Sequence, residues 1–95
     1  MNKCLRITLL MEPSEDFMKD VIQQSARKYN LEGFCQPIFD KDKGVKVIVC
    51  GEKENVDSFV DILHKEQALK DNIKDIEIEP FIKDRDYRGV FRIIE

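Results

Sequence analysis

Two stretches of helical periodicity, each set between segments of alternating polarity, constrain the fold of this chain more than any other feature. In ENVDSFVDILHKE, residues Val56, Phe59, Val60 and Leu63 recur at i, i+3, i+4 and i+7, one face of an amphipathic helix. In the earlier stretch Phe17, Val21, Ile22, Ser25, Ala26 and Tyr29 fall on one side at the same period. The spacing predicts helices near residues 15–29 and 54–66. Ser14 is a natural N-cap for the first, with Glu15 and Asp16 in its first turn, where the helix field favours negative charge. Asn30 is its natural stop, because a short polar side chain tolerates the left-handed conformation that ends many helices.

The flanking segments alternate with period two. In CLRITLLM, residues 4–11, Leu5, Ile7 and Leu9 face a core, and Arg6, Thr8 and Leu10 face away. Residues 33–40, GFCQPIFD, and 45–50, VKVIVC, are strands joined by a turn from Asp40 to Gly44, a hairpin signal. Val45, Val47 and Val49 make a β-branched core face. Pro37 has no N–H for a ladder, which puts it at an edge or a bulge. Residues 73–82 form a half-buried strand with Glu77 and Glu79 outward; KDRDYRG follows as a charged loop, and VFRII as a short last strand.

The order β-α-β-β-α-β with a short extra strand predicts an α+β, ferredoxin-like sandwich, an antiparallel sheet with both helices on one face. Right-handed crossovers place the first and third strands centrally. No linker, repeat or low-complexity tract divides residues 1–95, so a single domain is expected.

With 37% charged residues and a net charge of −3, nucleic acid is a poor bulk partner. No apolar run approaches the roughly 20 residues of a membrane span. The N-terminus lacks an apolar secretory core, so the expected location is cytoplasmic. Cys4, Cys35 and Cys50 are odd in number and widely spaced, and are expected to be buried, reduced thiols. With no cysteine pair close in sequence and His64 alone late in a helix, no metal or other cofactor is expected.

KYNLEGFCQP and GEKENVDSFVDIL resemble the acylphosphatase family patterns L-G-L-x-G-x-V-x-N and G-x-x-x-x-V-x-x-F-x-x-x-L. The resemblance runs from the strand at Arg6 to the terminal FRII, and implies the ferredoxin-like fold and hydrolysis of acyl phosphates. The family's phosphate loop, roughly G-x-V-Q-G-V-x-F-R, falls without a gap on Met11–Lys19. On this alignment Lys19 takes the place of the catalytic arginine. Met11 and Glu15 replace the two glycines, and Pro37 replaces the asparagine that positions the attacking water.

Each departure weakens the chemistry the resemblance implies. Glycines let backbone amides close on a phosphate, and Met11 and Glu15 restrict that closure. Glu12, Glu15 and Asp16 put negative charge where the substrate's would sit. Lys19 offers a point charge without the bidentate fork of arginine, and Pro37 offers neither amide nor N–H. The same acidic residues are also ordinary helix capping. The expectation is a catalytically impaired acylphosphatase-like domain that binds a protein or small-molecule partner. The alternative is an active acylphosphatase using Lys19.

Two further modules share the topology. An RNA-recognition module stacks bases on aromatic residues of the central strands, where this chain has Thr8, Leu10, Lys46 and Ile48. A metabolite-binding module of the ACT type dimerises through its sheet. Here Leu10, Ile38 and Ile48 offer an apolar patch for that, although a monomer is the expected state.

Overall fold

The computed structural model describes residues 2–70, 72–83 and 87–94. Strand β1 (Asn2–Leu10) leads through a short loop into a helical stretch over residues 15–28. Strands β2 (Glu32–Ile38) and β3 (Gly44–Glu52) form the hairpin, followed by helix α2 (Lys53–Lys70), β4 (Asp75–Pro80) and β5 (Phe91–Ile93). The sheet order is β4-β1-β3-β2-β5, so the first and third strands lie inside the sheet, as the crossover rule requires. The four long strands pair antiparallel, while β5 adds to β2 in parallel through Gly33–Phe91, Phe34–Arg92 and Cys35–Ile93.

Alternation decides which face is buried. Leu5, Ile7 and Leu9 of β1 and Val45, Val47 and Val49 of β3 turn inward together. They meet Ile22 and Ala26 of the first helical stretch and Val56, Phe59 and Leu63 of α2 in one cluster. The backbone at Asn30 is left-handed, with φ 55°, as the sequence predicts for the helix stop. Pro37 pairs with Val45 beyond the last residue that β5 covers, so β2 is an edge strand there.

Several expectations need correction. The first helical stretch is not uniformly α: Phe17–Gln23 is π-wound and passes into an α-helical turn, here α1, at Gln24–Lys28. Its wider winding brings Phe17 and Ile22, five apart, to the core together with Met18. Helix α2 runs on to Lys70, beyond the expected stop at residue 66. The face opposite the helices is also less open than predicted. Strands β4 and β5 lie on opposite edges, and the connection between them brings Phe81 beneath the Arg6 guanidinium at 5.8 Å. On the far side Tyr87 packs on Phe34 with ring centroids 6.1 Å apart. Phe34 is buried under Tyr87, and Ile48 is buried as well, leaving Leu10 exposed and Ile38 half-buried of the predicted apolar patch. Asp84, Arg85 and Asp86 of the predicted charged loop lie outside the described residues.

The cysteines depart furthest from expectation. Cys4 and Cys50 form a disulfide rather than two thiols. They face each other across β1 and β3 with Cα atoms 4.2 Å apart, the short spacing of a non-hydrogen-bonded antiparallel pair. Their separation of 46 residues hides this in the sequence; only the strand register brings them together. Cys35 remains a free buried thiol, and burial pushes its pKa up to about 12.

Candidate functional site

The loop after β1 is held by both of its neighbours. The Met11 N–H donates to the Lys43 carbonyl at 3.3 Å, tying the loop to the β2–β3 hairpin, and the Met11 side chain turns into the core. Lys43 Nζ also reaches the Glu12 carboxylate at 3.4 Å, an exposed pair. Ser14 performs the predicted cap: its Oγ accepts from the Phe17 N–H at 3.2 Å, and its carbonyl accepts from the Met18 N–H at 3.0 Å. Glu15 and Asp16 follow, both exposed.

Where this helix start meets the end of β2 there is a cleft of about 250 Å³, lined by Pro13, Ser14, Glu15, Met18, Pro37 and Phe39. Most of that wall is apolar. Met18 is 4% exposed and fixed by the core, whereas Phe39 is 72% exposed at the rim. The polar groups are the Glu15 carboxylate and the Ser14 hydroxyl, whose oxygen already accepts the capping bond. Among the described residues lining the cleft there is no cation and no side-chain amide. The arrangement suits an apolar group with a polar or positive end better than a phosphoryl group.

The structure brings two of the four singled-out residues, Glu15 and Pro37, into this cleft. Lys19 is exposed and does not line it. Met11 lines a separate cleft of about 360 Å³ with Leu10, Glu12, Lys41, Asp42, Lys43 and Lys74. Met18 and Phe39 were not singled out. Met18 had a signal, because Met18, Ile22 and Ala26 recur at i, i+4 and i+8, which turns Lys19 away from the buried side. Phe39 had none beyond its place at the hairpin end. Among the described residues no three His, Cys, Asp or Glu side chains gather as metal ligands.

A β-α-β-β-α-β sandwich with a cleft between the first loop and the second strand defines a class of small α+β domains. The acylphosphatase family model matches residues 17–93, and the chain belongs to that family. The match begins at Phe17, so it takes in Lys19 and Pro37 but not Met11 or Glu15. Among solved structures, an acylphosphatase from Coxiella burnetii is similar at 19% identity and TM-score 0.78, covering 98% of this chain and 93% of that one. An acylphosphatase from Bacillus subtilis is similar at 19% identity and TM-score 0.77, with both chains covered in full. The HypF protein of T. kodakarensis is similar at 20% identity and TM-score 0.72 over 96% of this chain, but only 12% of HypF. These likenesses establish the fold. No curated protein sequence matches the chain.

Proposed function

We propose that this chain is an acylphosphatase-family domain whose catalytic centre is impaired and which acts as a binding module. The observation that carries this reading is the lining of the cleft, where Met18, Pro37 and Phe39 stand around Glu15. Hydrolysis of an acyl phosphate needs donors and positive charge around the phosphoryl group and a positioned water. Met18 supplies no charge, Pro37 supplies no donor, and Glu15 repels the substrate. The loss of one such donor costs on the order of 10²–10³ in rate, so two losses leave little turnover. The apolar wall instead favours a partner that inserts a hydrophobic side chain.

The test is a direct assay with a simple acyl phosphate. Expected turnover is no faster than buffer, and unchanged by Lys19→Ala. Robust hydrolysis that disappears in Lys19→Ala would overturn the proposal in favour of an active enzyme using that lysine. Lys19→Arg with Pro37→Asn is expected to leave the protein poorly active while Glu15 stays in place.

A further inference from the structure

Cys4 and Cys50 lie at the other end of the sheet from the cleft. The row Cys4–Cys50–Glu32 crosses β1, β3 and β2 there, while the row Leu10–Gly44–Ile38 marks the cleft end. We propose that Cys4 and Cys50 are a reversible dithiol–disulfide site, opened by a dithiol reductant and closed by a small disulfide, while the domain stays folded.

Three observations support this. First, the bond joins residues already opposed in a nine-pair ladder from Asn2–Glu52 to Leu10–Gly44. Backbone pairing and the core behind it hold the two positions in register in either redox state. Second, Leu5 and Val49 turn into the core, so the neighbouring Cys4 and Cys50 share the face away from the helices. Cys4 is partly exposed and Cys50 is 3% exposed, so Cys4 is the more open residue of the pair. Third, the remaining thiol does not compete. Cys35 is fully buried on the core side, and burial keeps it protonated at neutral pH.

A thiolate of the reductant attacks Cys4 Sγ, the S–S bond breaks, and its electron pair leaves on Cys50 Sγ, which takes a proton from water. The reductant's second thiolate attacks its own sulfur in the mixed disulfide and displaces Cys4 as a thiolate, which is protonated in turn. The protein disulfide has gained two electrons and two protons, and the reductant has become a disulfide. A small disulfide reverses both steps.

This row of the sheet also anchors the connection to β5. The Phe81 N–H donates to the Cys4 carbonyl at 3.2 Å. Glu32, opposite Cys50, receives the Lys83 ammonium at 3.1 Å and the Tyr87 N–H at 3.1 Å. Opening the disulfide removes the covalent tie within the row that carries these anchors and so loosens the connection.

The 95-residue protein is treated with dithiothreitol under native conditions, alkylated with iodoacetamide and mapped by mass spectrometry. Expected are a label on Cys4, slower labelling of Cys50 and none on Cys35, with far-UV circular dichroism and a cooperative melt retained. Oxidised glutathione should then restore the intramolecular bond, in the wild type and in Cys35→Ala alike. Amide exchange at Phe81 and Tyr87 should be several-fold faster in the reduced form. A bond that opens only when the protein unfolds would overturn the proposal, as would loss of the fold on reduction or reoxidation through Cys35 or between chains. Unchanged exchange at both amides would overturn the link to the connection. None of these readouts involves the cleft or acyl phosphates, so they stand apart from the test of catalysis.

Discussion

Ser14 illustrates how one residue sets the site. Its hydroxyl satisfies an N–H at the helix start, fixing the chain direction from which Glu15 enters the cleft and Met18 enters the core. Ser14→Ala should lower stability by about 1 kcal/mol, the usual worth of such a cap, measured by denaturant unfolding. Glycine at the same position should cost less, because it is itself a tolerated cap. The cap was legible in the sequence because it depends only on local geometry. That Met18 rather than Lys19 faces Pro37 was harder to see, since motif alignment and helical periodicity differ there by one position. Periodicity prevailed because burying a methionine is favourable and burying an unpaired lysine is not.

At the scale of elements, α2 is fastened to the sheet by its buried stripe and by one charged cluster. Asp57 accepts from Lys3 Nζ of β1 at 2.9 Å and from Lys53 Nζ of its own helix at 2.9 Å. The hydrogen bond from Lys3, followed by that from Lys53, holds the Asp57 carboxyl below its ordinary value. A depressed carboxylate stabilises the folded state above its unfolded pKa, and that contribution fades as the pH falls through the lowered folded value. Asp57→Asn should therefore lower the melting temperature slightly at neutral pH and low salt. The difference should shrink in acid and in high salt, since the group is solvent-screened. A difference that persists at low pH would show that the residue acts by packing instead. The π-wound turn belongs to this scale as well: it seats both Phe17 and Met18 against the core.

Across the whole molecule, the consequential fact is that β4 and β5 occupy opposite edges of one sheet. Their connection brings Phe81 and Tyr87 to the face that would otherwise lie open, where Tyr87 packs on Phe34. The Cys4–Cys50 bond closes a separation of 46 residues. Loop-closure entropy of that size stabilises a fold by about 4 kcal/mol. The double variant Cys4→Ser with Cys50→Ser should be folded but less stable by roughly that amount in denaturant titrations, with a steeper denaturant slope because its unfolded chain is no longer cross-linked. A change well below 1 kcal/mol would mean that the unfolded chain is already compact near these positions.

The sequence by itself determined the helical stripes, the strand alternation and hence the sandwich and its family. These depend on periodicities of 3.6 and 2, which are local properties of the chain. It also determined the caps at Ser14 and Asn30, for the same reason. Strand register and edge placement, by contrast, arise only when distant segments pair. They alone set Cys4 opposite Cys50, added β5 to β2 in parallel, and carried Phe81 and Tyr87 onto the far face. The lining of the cleft was likewise decided in three dimensions, because which of two adjacent residues, Met18 or Lys19, faces Pro37 depends on how the helix packs against the core.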